Sequence, residues 1–461
     1  MIKHLFKYLL IVLLAGGFTA CSEDEGAQIL GGLYEKVDIA PEPGMNLVGR
    51  VTDGKNPIEG AVVSDGFTVT TTDAQGVYQM RVKKSTPFVF VSVPADCEIP
   101  VENGMPKIYK KIAMGDNDVV QRSFKLERTG KKERFTLLAL ADVQIGRDDE
   151  VVMLEKEVLP LLVPYVQQLD KPVYGISLGD LVHNDMSLYP TYCAGIADFD
   201  FPVFSVIGNH DHVQNAATDR EAVKKFEEYL GPTCYSVELG ELHFIFLDNI
   251  VMKNNTLDPN NVGAYSDGLS DEAYSWLCND LKYVDKDRTV MLCAHSSMFR
   301  KPDSEPADRD RHGPDYASRL AQYRCVHSWA GHSHINFNYA YSAEEPAPKF
   351  PNVESHILAR STGALWLNES MSSDGTPRGY MVVEVDGEAV SWYYKPYSYE
   401  NDVPSGLDRS HQIRVYAPGA WYSDGYVYAN VWNHDARWGA VRYTDSGKSG
   451  AEMKRVTVYD G

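Results

Sequence analysis

Cysteine is scarce in this chain: seven occur among 461 residues, and no two of them show C-x-x-C spacing. A disulfide framework and a zinc ribbon both require closely paired cysteines, so neither is expected. Cys278, Cys293 and Cys325 lie in apolar surroundings and are expected to be small core residues. No internal repeat or low-complexity segment is evident either.

Basic residues are also few. The sequence has 44 lysines and arginines against 64 aspartates and glutamates, which gives a net charge of −20. A surface this negative repels nucleic acid, and no basic stripe offsets it. Nucleic acid is therefore not expected as a partner, and the charge counts against a nuclease.

A long apolar run occurs only near the N-terminus. Lys3 and Lys7 precede an apolar stretch over residues 8–15, and small residues lead from there to Cys21. This pattern predicts that residues 1–20 are an export signal, since the apolar stretch is too short to span a membrane.

Cys21 makes the signal resemble that of a bacterial lipoprotein, which implies a lipid on Cys21 after cleavage. The following Ser-Glu-Asp-Glu resembles an acidic tag for export to the cell surface. Cleavage would remove Lys3 and Lys7 and take the net charge from −20 to −22. We expect an extracytoplasmic lipoprotein of the outer membrane, on its surface or periplasmic face, that contacts the membrane through its lipid anchor only. The alternative is an ordinary secretory signal with an incidental cysteine.

Composition divides the rest of the chain into a linker and three domains. Residues 21–43 are predicted to be a linker. Residues 44–128 contain short alternating runs separated by turn residues, which predicts an antiparallel β-sandwich that acts as a spacer or support. Residues 132–352 combine apolar strands with helical segments, and residues 355–461 are β-rich and aromatic.

Two helices and a hairpin are predicted within these domains. Residues 219–230 and 270–281 have helical periodicity, and Ser270 is a plausible cap for the second helix. Asp386 and Gly387 predict a hairpin turn between two β-rich runs.

Five short polar clusters each follow an apolar run within residues 132–352. The runs are predicted to be buried strands, and they span residues 135–141, 173–178, 202–207, 289–294 and 325–330. The clusters that follow them are Asp142-Val-Gln144, Gly179-Asp180, Gly208-Asn209-His210-Asp211, His295 and Gly331-His332-Ser333-His334. A sixth run, 242–247, adds a strand beside them. Ligands bind where the carboxyl ends of such strands meet, so the five loops are expected to converge.

The residue types in these clusters suit a pair of divalent cations. Two cations held roughly 3.5–4 Å apart need about seven nitrogen and oxygen ligands, one of them a bridging carboxylate. Asp, Asn and His are ligands of that kind. The pattern therefore predicts a two-metal phosphoester hydrolase.

The motifs resemble those of the calcineurin-like metallophosphoesterase superfamily, whose pattern is D-x-H, GD, GNH-D/E, a lone His and G-H-x-H. The resemblance implies an α/β fold with a two-layered, β-sandwich-like core and flanking helices. Residues 48–78 resemble a carboxypeptidase-regulatory-like β-sandwich that precedes some bacterial members, and residues 361–380 resemble a C-terminal β-rich module of the same group.

Carried over by position, the resemblance implies the ligands of both cations. The first cation would be bound by Asp142, Asp180 and His334, with Gln144 nearby. The second would be bound by Asp180, Asn209, His295 and His332, so that Asp180 is the bridge.

The resemblance also implies catalytic roles for His210 and Asp211. His210 would face the substrate as general acid or transition-state stabiliser, and Asp211 would orient its ring. The nucleophile would be a metal-bound water or hydroxide.

Two positions depart from the superfamily pattern. Gln144 replaces a histidine, as in the similar manganese-dependent ADP-ribose/CDP-alcohol diphosphatases. An oxygen donor there favours manganese, with iron, zinc or magnesium as alternatives. His183 stands where purple acid phosphatases have an iron-binding tyrosine, so their colour is not expected.

The function predicted is hydrolysis of an extracytoplasmic organic phosphate, either a small-molecule or a glycan ester, by a phosphatase or phosphodiesterase. One alternative is a pyrophosphohydrolase acting on nucleotide diphosphates, and another is a non-catalytic glycan-binding lipoprotein with a vestigial site. Arg300, His212 and Trp366 are candidate substrate contacts, whereas His243 and His327 lie inside apolar strands and are expected to be core histidines.

Overall fold

The structure is a computed structural model that describes residues 36–456 except 116–117, 200, 254–262, 300–309, 363–371, 398–408, 421–422 and 445–449. Its N-terminal domain contains two four-stranded sheets. One is built from β1 (Leu47–Thr52), β4 (Val77–Met80), β10 (Val120–Gln121) and β11 (Phe124–Lys125). The other has the spatial order β3 (Val69–Thr71), β2 (Val62–Ser64), β5 (Phe88–Ser92) and β9 (Tyr109–Lys111). Two short pairs accompany them: β6 (Cys97–Glu98) with β12 (Glu127–Arg128), and β7 (Val101–Glu102) with β8 (Met105–Pro106).

The central domain contains a five-stranded and a six-stranded sheet. The five-stranded sheet has the spatial order β15 (Val203–Val206), β14 (Val173–Leu178), β13 (Arg134–Leu140), β24 (Gly379–Asp386) and β25 (Ala389–Pro396). The six-stranded sheet has the order β16 (Tyr235–Leu239), β17 (Leu242–Leu247), β20 (Thr289–Ala294), β21 (Cys325–Ala330), β23 (Val353–Ile357) and β22 (Phe337–Ala340). Strands β13, β14 and β15 run parallel, as do β17, β20, β21 and β23.

Helices and shorter strand pairs surround these sheets. The helices are α1 (Asp148–Met153), which continues as a π-helix over Leu154–Val158, α2 (Leu159–Val166), α3 (Tyr189–Ile196), α4 (Asp219–Ala222), α5 (Lys224–Tyr229), α6 (Asp271–Asp280), α7 (Gly313–Leu320) and α8 (Tyr341–Glu344). The 3-10 turns span Met186–Leu188, Asn209–Asp211 and Leu281–Tyr283. The two strand pairs are β18 (Ile250–Met252) with β19 (Tyr265–Asp267), and β26 (Ile413–Tyr416) with β27 (Tyr428–Val431).

The two large sheets face each other across an apolar core. The Phe204 and Phe246 rings, one from each sheet, stack with centroids 5.1 Å apart. Leu137 belongs to this core, whereas the next residue, Leu138, belongs to a second core with the helices on the outer face. Successive side chains of a strand point to opposite faces, so β13 is apolar on both sides because both are covered.

Most predicted elements match the structure. The strands predicted over 173–178, 242–247, 289–294 and 325–330 have the observed bounds. The Ser270 hydroxyl accepts a hydrogen bond from the Ala273 amide and caps α6, as expected. Within the described residues, no helix combines the length and apolar character that a bilayer crossing requires.

The hairpin predicted at Asp386 and Gly387 is present, and it extends the five-stranded sheet. Its first strand, β24, pairs antiparallel with β13, and β25 pairs with β24. Strand β23 likewise belongs to the six-stranded sheet. The chain on both sides of residue 355 therefore contributes strands to the two-sheet core.

The N-terminal sandwich packs directly against the central domain. The Trp276 indole donates to the Ser64 hydroxyl at 3.1 Å, and the Glu238 amide donates to the Val93 carbonyl at 3.1 Å. The Trp276 ring also contacts Phe90 edge to face. The sandwich is therefore packed against the central domain by side-chain and backbone contacts.

His243 lies inside strand β17 and is paired on both sides, as a core histidine should be. Its Nδ1 lies 2.6 Å from a Glu238 carboxylate oxygen, and its Nε2 lies 2.8 Å from one of Asp280. Burial lowers the pKa of His243, but the two carboxylates outweigh burial and raise it to about 10. The imidazolium is therefore the folded-state form at neutral pH.

We predict that His243→Gln lowers the free energy of unfolding by about 3 kcal/mol at pH 6, because two buried carboxylates lose their cation. A raised folded-state pKa stabilises fully below the ordinary histidine pKa of about 6.5, and this contribution is lost as pH rises towards 10. Urea unfolding of both proteins between pH 6 and 10 should show the difference shrinking. His411→Gln, at a partly exposed histidine with no carboxylate partner in the described structure, is the control, and a difference independent of pH would contradict the assignment.

Candidate metal centre

The polar clusters predicted from the sequence meet at one edge of the two-sheet core. Asp142, Asp180 and Asn209 lie two or three residues beyond the ends of strands β13, β14 and β15 of the five-stranded sheet. In the six-stranded sheet, His295 directly follows β20, and the 331–334 loop directly follows β21. Because neighbouring strands run parallel within each sheet, these carboxyl ends lie together.

The backbone at this edge is unusual. Left-handed φ angles of 49°, 48°, 50°, 67° and 54° occur at Asp142, Gln144, Asp180, His332 and His334. Residues other than glycine adopt this conformation rarely and at a cost of roughly 1 kcal/mol or more each. Such positions gather where the fold must aim side chains at a common point.

Two glycines of the motifs are required by close packing around the carboxylates. A Cβ on Gly208 would lie 2.2 Å from the Asp180 backbone nitrogen, and a Cβ on Gly331 would lie 2.3 Å from an Asp142 carboxylate oxygen. Any side chain at either position would displace a carboxylate, which explains why glycine precedes both Asn209 and His332.

One group of converging donors contains Asp142, Asp180 and His334, whose ligand atoms all lie within 4.8 Å of one another. The His334 Nε2 is 3.3 Å from Asp142 Oδ1. The Gln144 amide adjoins the group, because its Nε2 donates to Asp180 Oδ2 at 2.8 Å. The structure thus brings together the residues predicted for the first cation.

The second group is formed by Asn209, His295 and His332. Asn209 Oδ1 lies 3.0 Å from His295 Nε2 and 3.0 Å from His332 Nδ1, and these two nitrogens are 3.2 Å apart. His295 Nε2 is also 3.3 Å from Asp180 Oδ1. Asp180 therefore directs one carboxylate oxygen to each donor group.

Burial and charge act in opposite directions on Asp180 and His295. Burial raises the pKa of Asp180, but the charge and hydrogen bond of His295 outweigh it and hold that pKa below its ordinary value. Burial lowers the pKa of His295, but Asp180 raises it to about 10. A cation bound at Asp180 would have to displace the proton that His295 otherwise carries.

The donor set fits divalent cations. Gln144 Oε1 is buried without a hydrogen-bond partner, so a neutral oxygen is available beside the first group. In the second group, two imidazole nitrogens and an amide oxygen lie 3.0–3.2 Å apart. Ligands at 2.0–2.1 Å around a tetrahedral cation are separated by about 3.3 Å, so this spacing is that of a coordination sphere.

Asp211 does not orient His210, contrary to the prediction from the resemblance. Its carboxylate accepts hydrogen bonds from the backbone amides of Leu181 and Gly208 and from the Tyr189 hydroxyl. Burial and the nearby Asp180 raise the pKa of Asp211 to about 7. Asp211 is a fully buried carboxylate that holds the Asp180 and Asn209 loops together through these hydrogen bonds.

Asn184 takes the place predicted for Asp211. Its Oδ1 accepts from His210 Nδ1 at 2.9 Å, and its backbone amide donates to the His210 carbonyl at 3.1 Å. The His183 ring stacks on His210 with centroids 4.2 Å apart. Burial lowers the pKa of His210 to about 4. These contacts fix the ring plane and engage Nδ1, so Nε2 is the ring nitrogen left for another partner.

The remaining predicted site residues do not join the donor groups in the described structure. His212 is fully buried, with Nδ1 bonded to the Gly208 carbonyl at 2.7 Å and Nε2 3.4 Å from Asp248. His212 therefore supports the loop as a buried residue, whereas a substrate contact was predicted for it. Arg300, Trp366 and Cys21 lie outside the described residues.

Residues that follow β23 form hydrogen bonds that hold the loop after β13 in place. The Ser361 hydroxyl accepts from the Ala141 amide at 3.1 Å, and the Thr362 hydroxyl donates to the Val143 carbonyl at 2.7 Å. Arg360, buried and paired with Glu150, donates to the Gln144 carbonyl at 3.1 Å. The prediction of Trp366 as a substrate contact pointed to this part of the chain, but no motif marked Arg360.

Tyr265 of β19 flanks the second donor group, where its hydroxyl lies 3.4 Å from His332 Nε2. Tyr265 belongs to no motif, so nothing in the sequence marked it as part of the site.

Comparisons with known proteins extend over most of the chain. Three family models match: "N terminal of Calcineurin-like phosphoesterase" over residues 45–129, "Calcineurin-like phosphoesterase" over 135–336, and "C terminal of Calcineurin-like phosphoesterase" over 356–461. A comparison with curated proteins found no match.

Solved structures give remote likenesses. PhoD is 12% identical, with 77% of this chain and 89% of that one covered at a TM-score of 0.36. A 5'-nucleotidase precursor from Thermus thermophilus is 16% identical, with 57% and 54% covered at 0.30. A metallophosphoesterase from Sphaerobacter thermophilus is 12% identical, with 59% and 96% covered at 0.27.

The three consecutive family models agree with the sequence motifs and with the two groups of converging donors. The chain belongs to the calcineurin-like phosphoesterases, with the N-terminal and C-terminal companion domains of that family, and is a metal-dependent phosphoester hydrolase.

Proposed function

We propose that the two donor groups hold two divalent cations bridged by Asp180, and that the centre hydrolyses a small organic phosphate outside the cytoplasm. The observation that carries the proposal is the position of the Asp180 carboxylate, 3.3 Å from His295 on one side and 2.8 Å from Gln144 on the other. Asp142 and His334 would complete the first site, and Asn209 and His332 the second.

When bound, the cations would supply positive charge to the phosphoryl oxygens and acidify a water molecule. The residues of the chain contribute by positioning the groups that react. The His210 amide donates to Asp180 Oδ1 at 2.8 Å, which places the His210 ring beside the bridging carboxylate. With Nδ1 donating to Asn184, Nε2 carries a proton only in the imidazolium form, which a bound phosphate would favour by offsetting the burial that lowers the pKa of His210. In that form Nε2 would give its proton to the departing oxygen of the substrate.

Gln144 bears on the identity of the first cation. An amide oxygen is a harder ligand than imidazole, and with two carboxylates it makes the first group oxygen-rich. We therefore propose manganese as the preferred metal, with iron, zinc or magnesium as weaker substitutes.

We predict that Gln144→His raises zinc affinity at the first site about tenfold and reduces the preference for manganese, because an imidazole replaces an amide oxygen. Zinc and manganese titrations of both proteins, monitored by calorimetry and by rate, would measure the change. Gln168→His, at an exposed glutamine, is the matched control. An unaltered protein that binds zinc as tightly as Gln144→His does would contradict the prediction.

The net negative charge of the chain favours a small substrate over a polyanionic one. At a net charge of −20, a polyanionic nucleic acid would be repelled over most of the surface. A small phosphate ester or a phosphorylated glycan carries few charges, and two cations would suffice to attract it. Pyrophosphate bonds of nucleotides share this requirement and form the second candidate class.

The substrate class is tested with the chain from residue 22 onwards. It would be assayed with manganese, magnesium, zinc, iron and nickel against p-nitrophenyl phosphate, its bis ester and a nucleoside diphosphate. We expect manganese-stimulated hydrolysis of at least one of the three and no cleavage of DNA. Hydrolysis of none of them, with metal bound at full stoichiometry, would favour the non-catalytic glycan-binding alternative.

The location is tested separately. The export signal and Cys21 support a lipid-anchored protein outside the cytoplasm. Cys21→Ser should release the protein from the membrane fraction into the soluble extracytoplasmic fraction. An unchanged membrane fraction would rule out the lipid anchor.

A further inference from the structure

A second cluster of metal-ligating side chains lies away from the candidate metal centre. His327 belongs to β21, and Glu354 and His356 belong to the neighbouring β23. One ligand atom from each lies within 4.8 Å of the others. His327 lies three residues before the end of β21, which is about 10 Å of extended strand before the 331–334 loop, so the cluster is separate.

The two histidines are buried and directly opposed. His327 and His356 are 5% and 1% exposed, and His327 Nδ1 lies 3.2 Å from His356 Nε2. The same 3.2 Å separates His295 Nε2 from His332 Nδ1 at the candidate metal centre. Two nitrogens bound at 2.0–2.1 Å to one tetrahedral cation are about 3.3 Å apart, so the spacing suits a shared cation.

We propose that His327, Glu354 and His356 form a further, mononuclear site for a borderline transition cation of the zinc type. Two imidazoles and one carboxylate are a ligand set that zinc accepts. Burial lowers the pKa of both histidines, so both rings are neutral at physiological pH and can each offer a lone pair.

The surroundings of His356 hold its ring in the tautomer that binding requires. Its Nδ1 donates to Asn338 Oδ1 at 2.8 Å, so Nε2 carries the lone pair that faces His327. The Asn338 amide is fixed in turn, because its Nδ2 donates to Asn433 Oδ1 at 2.7 Å. Metal-bound histidines generally donate their second N–H to such a partner.

His327 needs one proton shift to become a ligand. Its Nε2 lies 3.6 Å from Cys325 Sγ. On binding, the proton on Nδ1 would move to Nε2, where the sulfur can accept its hydrogen bond, and Nδ1 would present its lone pair to the cation. The number of protons on the cluster does not change.

Glu354 can ligate without losing its ion pair. Its two carboxylate oxygens accept from Arg437 at 2.9 and 3.0 Å. A carboxylate has about four lone-pair positions, so Arg437 uses one side and leaves the other for a cation. The site would then link β21 and β23 to the Asp435–Arg437 segment, which points to a structural role.

Metal counting tests the proposal independently of the hydrolytic centre. The purified chain would be saturated with zinc, freed of excess metal and measured for zinc per chain. We expect three zinc ions in the unaltered protein and two in His356→Gln and in Glu354→Gln. Both variants should hydrolyse phosphate ester at the unaltered rate, since neither residue belongs to the two donor groups. His411→Gln, outside every cluster, should keep three.

Asp180→Asn provides the reciprocal measurement, because it should lose zinc from the hydrolytic centre and retain the ion held by His327 and His356. Cobalt substitution gives a second readout, since its visible absorption in Asp180→Asn should disappear on adding His356→Gln. Two zinc ions in the unaltered protein, or three in both His356→Gln and Glu354→Gln, would overturn the site and leave a buried hydrogen-bond chain through Cys325, His327, His356 and Asn338.

Discussion

Asp180→Asn should lower the rate of phosphate ester hydrolysis by about 10³-fold or more, because several kcal/mol of charge stabilisation depend on both cations. The substitution changes little else. Asparagine tolerates the φ of 50° at this position, and it keeps an oxygen to accept from the His210 amide. What it removes is the negative charge that both donor groups share.

The same variant should bind fewer cations yet remain folded. Asp180 raises the pKa of buried Asp211, so the two carboxylates repel each other. Removing one charge relieves that repulsion and offsets the loss of the His295 contact, so we expect metal-free stability within about 1 kcal/mol of the unaltered protein. Metal analysis and urea unfolding would measure both.

Asp198→Asn is the control, since Asp198 is an exposed aspartate whose loss should leave rate and metal content unchanged. Near-normal turnover by Asp180→Asn at saturating metal would refute the bridging role. Loss of activity with two cations still bound would assign Asp180 to a different task.

The strands that carry the site could be predicted because they are buried on both faces. Residues 173–178 and 289–294 are apolar runs bounded by polar motifs, and each has the observed limits. A strand covered on one side only alternates apolar and polar residues, so an unbroken apolar run indicates cover on both faces. The polar clusters allowed the site loops to be predicted. Aspartate, asparagine and histidine directly after several buried strands are best explained by one shared binding site.

What the sequence did not predict depends on contacts between distant segments. Hairpin 379–396 was predicted as a hairpin, but nothing in its residues says that it extends the sheet beside β13. Asn184 lies four residues after Asp180 without a motif, and its role follows only from the left-handed φ of 64° that turns it towards His210. Arg360 is similar: its function depends on Glu150, which is 210 residues away in the chain.

His210→Ala should lower kcat by about 10²- to 10⁴-fold, the usual contribution of a positioned general acid. Metal content should not change, because His210 Nδ1 is bonded to Asn184 and the ring is absent from both donor groups. The loss should be larger for an alkyl phosphate, whose leaving oxygen needs a proton, than for p-nitrophenyl phosphate, whose leaving group departs without one.

Asn184 separates the general-acid role of His210 from a purely electrostatic one. Asn184→Leu removes the acceptor at Nδ1 and should lower kcat by about 10- to 100-fold with little change in KM, since the ring loses its fixed orientation. Asn184→Asp keeps an acceptor at the same place and should restore most of the rate. Asn184→Leu should show the same dependence on the leaving group as His210→Ala, because the ring that Asn184 orients through Nδ1 carries the proton-donating Nε2.

Equal losses on the alkyl and p-nitrophenyl esters would reduce His210 to electrostatic stabilisation. A cation missing from His210→Ala would make the ring a ligand, and an Asn184→Leu rate equal to that of the unaltered protein would mean that the His183 stack alone orients it. Because the predicted orienting residue, Asp211, is committed to the backbone amides of Leu181 and Gly208, the proton on His210 Nδ1 depends on Asn184. The leaving-group dependence of Asn184→Leu therefore decides whether His210 acts by giving up a proton.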